Sequence, residues 1–312
     1  MRNIGFVFPG QGAQKLGMLA DLAASTDVVT DTFAEASAVL GKDLWEVSQI
    51  DQSEQLNQTD ITQPALLAAS VAIWRVWQGR QGVQPSILAG HSLGEYSALV
   101  CSGVLIFSDA IALVHQRGRL MQAAVSVGTG KMAAIIGFDD SKIAGLCEQA
   151  ACGQVVSAAN FNSPGQTVIA GDVDAVERTM ALCKEAGAKR ALPLNVSVPS
   201  HCALMRPAAE QLQAELDKVQ FSSPQIPVVQ NVNAQICDDP NLIKENLIKQ
   251  LYEPVLWVDS VKCMGESGVE KILECGPGKV LSGLIKRIEP DISCFASDSP
   301  EGLTSAIAEL LP

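Results

Sequence analysis

Short apolar runs alternate with longer segments of helical apolar spacing along almost the whole chain, and no other feature constrains its fold more. Strands written as continuous apolar runs are covered on both faces, the setting of a mainly parallel sheet between helices. "IGFVF" (4–8) is such a run and ends in the turn "PGQG". "QPALLAASVAIWRVWQG" (63–79) predicts a helix, with Pro64 near its start and Gly79 at its end. "SILAG" predicts the next strand and "EYSALVCSG" a helix stopped by Gly103. "SDAIALVHQRGRLMQAA" (108–124) follows as a helix with Ser108 as its N-cap.

The pattern changes at "VGTGK" (127–131), which reads as a linker. Beyond it come strand "MAAIIG", helix "DSKIAGLCEQAA", strand "QVVSAANF", turn "NSPG", strand "QTVIAG", helix "VDAVERTMALCKEAG" and strand "RALPLNV". That β-α-β-β-α-β order is the split βαβ, or ferredoxin-like, arrangement. The larger pattern resumes at "SVPSHCALM", with helix 202–218, strand "IPVVQNV", helices 241–250 and 254–267, strand "EKILEC" and "GPGKVLSGLIKRI". The expected fold is α/β: a large α/β-hydrolase-like domain (1–127 and 198–312) with a mainly parallel sheet, carrying an inserted ferredoxin-like subdomain (128–197). A cleft between the two is expected.

Composition narrows the function. Of 312 residues, 47% are hydrophobic and 18% charged, a balance that suits a packed enzyme and not a disordered chain. The net charge of −12 argues against general attraction to nucleic acid or anionic lipid, so an acidic partner needs a local basic patch. No apolar run approaches the ~18 residues of a membrane span, and the N-terminus lacks a signal-peptide pattern. Nine scattered cysteines, with no zinc-type spacing, predict reduced thiols in a cytoplasm. Nothing implies a metal or a resident cofactor.

In "GHSLGEYSALV" (90–100) a serine stands between two glycines, after a strand and before a helix, the context in which Gly-x-Ser-x-Gly forms a nucleophile elbow. The competing reading is a helix N-cap serine. A serine hydroxyl needs a base beside it, and the chain has three histidines. His91 adjoins Ser92, where neighbouring side chains diverge, and His115 lies on the polar side of its helix. His201, between a strand end and a helix start, is the best base by elimination. No acid stands near it until Glu210 and Glu215, so a main-chain carbonyl is the alternative orienting group. Oxyanion donors are expected from the N–H of Leu93 and from Gln11 in "FPGQG", which is otherwise a plain glycine turn. Arg117 is flanked on its helix face by Ala110, Leu113, Val114 and Met121. A guanidinium there needs an anion, either a core carboxylate or a substrate carboxylate gripped bidentately.

Eight signatures in order, "FPGQGAQ" (8–14), "TQPALLAAS" (62–70), "GHSLGEYSAL" (90–99), "RGRLMQ" (117–122), "NFNSPGQTVIAG" (160–171), "SVPSHCALM" (197–205), "QLYEPVLW" (250–257) and "ECGPGKVLSGLIKR" (274–287), resemble the malonyl-CoA:acyl carrier protein transacylases of bacterial fatty-acid synthesis. The resemblance implies Ser92 as acylated nucleophile, His201 as base, and the Gln250 carbonyl orienting His201. It implies Gln11 and Leu93 as oxyanion hole, Arg117 on the malonyl carboxylate, and Gln63 and Asn160 lining the site. Malonyl-CoA would be substrate and acyl carrier protein acceptor, with CoA entering only as part of the substrate. Lys189-Arg190 and Lys286-Arg287 are the candidate docking patches for an acidic carrier. An esterase expects an acid between its serine and a late histidine, and gives Arg117 no role. A non-catalytic carrier-binding module would not need Ser92, His201 and Arg117 together. Arginine alone does not separate malonyl from methylmalonyl.

Overall fold

The computed structural model describes residues 3–196 and 198–310; the two residues at each terminus lie outside the described residues, as does Ser197, which opens the 197–205 signature and ends the expected insert. In chain order, β1 (Asn3–Phe8) is followed by α1 (Ala20–Ser25), α2 (Val28–Leu40), α3 (Leu44–Gln49), α4 (Thr59–Gly79), β2 (Ile87–Gly90), α5 (Leu93–Cys101) and α6 (Phe107–Ala123). Next come β3 (Gly130–Ile136), α7 (Asp140–Ala151), β4 (Val156–Ser163), β5 (Gln166–Asp172), α8 (Val173–Glu185) and β6 (Arg190–Pro193). A 3₁₀ turn (Ala203–Met205) leads into α9 (Arg206–Leu216), β7 (Val228–Val229), α10 (Pro240–Gln250) and α11 (Trp257–Glu266). The chain ends with β8 (Val269–Glu274), α12 (Val280–Ile288), β9 (Ser293–Ala296) and α13 (Pro300–Leu310).

Two sheets organise these elements. The first is parallel, in the order β7-β2-β1-β8-β9. Its central strand β1 is buried on both faces because alternate side chains enter different cores. Phe6 packs edge-on against Trp74 and Trp77 of α4, at 5.7 and 5.2 Å between ring centroids, while Val7 joins Trp257, Val261 and Met264 on the other side. Phe8 pairs in register with Gly90. The turns after β1 and β2 therefore leave the carboxyl edge of the sheet side by side, where α/β sheets place ligands.

The second sheet is antiparallel, in the order β4-β5-β3-β6. One face is covered by α7 and α8 through Ile143, Cys147, Val176 and Cys183. The other carries Met132, Ala134, Val168 and Ala170, which pack with Cys202 of the large body. The small sheet is tied to the segment between α10 and α11: Val255 donates to the Ala159 carbonyl at 2.9 Å and accepts from the Phe161 N–H at 3.0 Å.

Several local expectations need correction. The helix expected over 254–267 begins at Trp257, because the preceding residues are held extended against β4 by those Val255 bonds. The expected linker 127–131 already contains the first two residues of β3. Ser108 is not an N-cap; α6 starts at Phe107 after Ile106, with no side-chain cap. The helix expected over 202–218 is a 3₁₀ turn and then α9. The helix expected from Gln63 starts a turn earlier, at Thr59, which puts Pro64 inside it. Proline has no N–H for the carbonyl four residues back. His115 meets that need, its Nδ1–H donating to the Asp60 carbonyl at 2.8 Å, which gives His115 a structural role.

Candidate active site

Ser92 occupies the turn between β2 and α5 with φ 52° and ψ −109°, a conformation that strains a residue with a Cβ. The glycines make it possible. A Cβ on Gly90 would overlap the Gly94 carbonyl, and one on Gly94 would overlap the carbonyl of Phe8. Asn231, just beyond β7, clamps the turn: its Oδ1 accepts from the Ser92 N–H at 2.7 Å and its Nδ2 donates to the Gly90 carbonyl at 2.6 Å. The Ser92 side chain caps no helical N–H; its hydroxyl lies 2.8 Å from His201 Nε2.

His201 also has a left-handed backbone (φ 62°) and is 3% exposed. Its Nδ1 lies 2.6 Å from the main-chain oxygen of Gln250. A carbonyl only accepts, so Nδ1 carries the proton and Nε2 presents a lone pair to the Ser92 hydroxyl. Burial, then the charge of Arg117, push the imidazole pKa down to about 3, against the pull of the Gln250 carbonyl. The ring is therefore neutral at physiological pH, the form that takes a proton. Glu215 pairs instead with Lys218 on the surface.

Arg117 is 1% exposed and makes no ion pair among the described residues. Nη1 donates to Gln63 Oε1 at 2.8 Å; Nη2 donates to Gln250 Oε1 at 2.9 Å and reaches Ser92 Oγ at 3.4 Å. Of the two anions the sequence leaves open for it, a core carboxylate in direct contact is absent among the described residues. The guanidinium borders a cavity of about 160 Å³ lined by Gln11, Ser92, Leu93, Asn160 and His201, and roofed by Met132 and Val168 of the small sheet. The backbone N–H groups of Gln11 and Leu93 carry no internal hydrogen bond among the described residues, and both residues line the cavity beside Ser92. Gln63 does not line this cavity; it stands behind Arg117 and holds the guanidinium in place. A second cavity of about 150 Å³ shares Gln11, His91 and Asn162 with the first and extends to Val280, Leu281 and Leu284 on α12.

Residues 5–287 match the acyl transferase domain family. The chain belongs to the acyl transferase family. This acyl transferase is 58% identical over 309 residues to the malonyl CoA-acyl carrier protein transacylase of Salmonella typhimurium, covering 99% of this chain and 100% of that protein. It is similar to the crystal structure of an acyl carrier protein S-malonyltransferase from Vibrio cholerae, with a TM-score of 0.96, 60% identity and coverage of 97% of this chain and 99% of that one. A type II PKS acyl-carrier protein in complex with its malonyl-transacylase matches at a TM-score of 0.97 and 57% identity, over 98% of this chain and 99% of that one.

The acyl transferase site also holds groups that sequence reasoning missed. Glu95, three residues after Ser92, is 1% exposed and accepts from Gln250 Nε2 at 2.8 Å and from the Asn231 N–H at 3.1 Å. Burial pushes its carboxyl up to about 7, against these hydrogen bonds and the charge of Arg117. A carboxylate within the apolar run 95–103 was the available signal, the same one that singles out Arg117. His91 pairs with Asn162 at 2.8 Å and meets the Trp257 ring edge-on. Lys189, Arg190, Lys286 and Arg287 are exposed, and the fold gathers them at one rim. Ile136 is in register with Arg190 on one side and Gln166 on the other, and Arg287 donates to Gln166 Oε1 at 2.7 Å.

Proposed function

We propose that the chain transfers a malonyl group from CoA to the phosphopantetheine thiol of acyl carrier protein through a malonyl-Ser92 intermediate, supplying malonyl-carrier protein for fatty-acid biosynthesis. His201 takes the Ser92 proton as the hydroxyl attacks the thioester, the N–H groups of Gln11 and Leu93 hold the oxyanion, and CoA leaves as a thiol. The carrier thiol then attacks the ester, with His201 again as base, and Ser92 is regenerated. Throughout, the Gln250 carbonyl keeps Nδ1 protonated. Asn160 lines the acyl chamber, and Gln63 steadies Arg117. The reading needs no resident cofactor, since CoA arrives as part of the thioester, and it suits a cytoplasmic enzyme.

The observation that carries this reading is the distance of 3.4 Å from Arg117 Nη2 to Ser92 Oγ. A three-carbon diacid esterified to Ser92 through one carboxyl would set its free carboxylate against the guanidinium. An acetyl group leaves that buried cation unpaired, a difference of about 2–4 kcal/mol. The grip also turns the ester away from water, which favours transfer over hydrolysis. The β-α-β-β-α-β order supports a ferredoxin-like insert over 128–197 in an α/β-hydrolase-like domain formed by 1–127 and 198–312. The basic rim at Lys189, Arg190, Lys286 and Arg287 supports docking of an acidic carrier at that rim.

Intact mass after brief exposure to malonyl-CoA or acetyl-CoA tests the reading. Wild type should gain a malonyl adduct that a carrier protein discharges, and Ser92→Ala should gain none. Arg117→Ala should lose the preference for malonyl over acetyl by on the order of a hundredfold, from the energy above. A wild type that stays unmodified while hydrolysing simple esters would point to an esterase instead.

A further inference from the structure

Between turnovers Arg117 is a buried cation without a carboxylate in contact. Its hydrogen bonds lead to one nonetheless. Arg117 Nη2 donates to Gln250 Oε1 at 2.9 Å, and Gln250 Nε2 donates to Glu95 Oε2 at 2.8 Å. The amide is thus aligned with its oxygen toward the cation and its NH₂ toward the carboxylate, joining the two charges across one side chain. Glu95 forms no ion pair among the described residues, and its Oε1 is buried without a partner. The other titratable groups around Arg117 are His91 and His201, whose pKa values burial lowers, and Tyr96, whose ring lies 5.5 Å from the guanidinium and whose hydroxyl burial pushes up to about 12. At neutral pH all three are uncharged, so Glu95 is the group that can balance Arg117.

We propose that Glu95, acting through the side-chain amide of Gln250, is the counter-charge of Arg117 in the unloaded enzyme and sets how tightly the guanidinium grips the acyl carboxylate. This rests on the reading of Arg117 as the partner of the malonyl carboxylate. Glu95 touches no substrate; it is a positioning residue that tunes specificity. When the acyl carboxylate arrives, two anions share one cation. Glu95 yields by taking a proton from the buffer onto Oε1, the oxygen that accepts no hydrogen bond. Its carboxyl titrates near neutrality, so this adjustment costs little at physiological pH. The grip on malonyl is thereby moderated, which suits an ester that must be released to the next thiol.

Two measurements on the full chain test the proposal. In steady-state kinetics, Glu95→Gln keeps the acceptor for Gln250 and removes the charge, and should lower KM for malonyl-CoA about three- to tenfold relative to KM for acetyl-CoA. Equal changes for both substrates, or none, would overturn the proposal and leave Glu95 a structural residue. In calorimetry at pH 7, Ser92→Ala titrated in two buffers of different ionisation enthalpy should take up more protons with malonyl-CoA than with acetyl-CoA. The excess should vanish in Ser92→Ala/Glu95→Gln. Equal uptake for the two ligands by Ser92→Ala overturns the proposal, and this decides the matter even if Glu95→Gln alone does not fold. Arg117→Ala separates the two readings. If it leaves the malonyl-to-acetyl ratio unchanged, the assignment of Arg117 fails, whatever Glu95 does.

Discussion

Arg117, Glu95 and His201 are each costly to bury, yet the fold hydrogen-bonds all three directly to Gln250. The cost has a measurable consequence at Glu95. Its folded pKa of about 7 lies above the ordinary carboxyl value of 4.5, so between those two pH values the folded state binds more protons than the unfolded one. Stability from this group is present below pH 4.5 and is lost as pH rises through 7. The stability difference between Glu95→Gln and wild type should therefore shift toward the variant by about 1 kcal/mol per pH unit across that window. It should be flat outside the window. Urea titrations at several pH values check this, and a difference independent of pH would show an ordinary carboxyl. Arg117 was legible in the sequence because a guanidinium among apolar helix neighbours has few explanations. Glu95 carried the same mark. Asn231 carried none, since amides are common at strand ends and only the fold brings this one to the elbow.

At the scale of elements, the turn between β2 and α5 depends on close backbone approach. A Cβ at Gly94 meets the Phe8 carbonyl, which the β1–β2 register holds in place. Gly94→Ala should therefore destabilise the protein by about 2–4 kcal/mol and displace Ser92. Gly145, inside α7 with nothing near its Cβ position, is the contrasting case. There alanine should stabilise by about 0.5–1 kcal/mol. Denaturant unfolding of both variants tests the steric argument, and equal effects would sink it. Helix ends were less legible than helix cores. The early start of α4 with Pro64 inside it depends on the donor that His115 brings from α6, and the late start of α11 depends on bonds between Val255 and β4. Tertiary partners decided both boundaries.

For the whole molecule, a net charge of −12 works against capture of an acidic carrier. The basic rim at the end of the small sheet opposes it locally. Lys189→Glu with Arg190→Glu, or Lys286→Glu with Arg287→Glu, should raise KM for the carrier protein about tenfold at low salt, an effect that shrinks as salt screens the patch. Carrier kinetics at several ionic strengths measure this, and an unchanged KM for both pairs would remove the rim as the docking site.

The sequence by itself determined the alternation that makes a parallel sheet, the β-α-β-β-α-β segment, the elbow serine and the misplaced arginine. Each is written in local spacing, residue type and apolar periodicity. Only the tertiary structure decided that His201 meets Ser92, that Gln250 serves His201 with its carbonyl and Arg117 with its amide, and that Glu95 lies behind both. Those relations join residues up to 155 positions apart. They arise from strand register and from the packing of the small sheet on the large body, which local pattern does not encode.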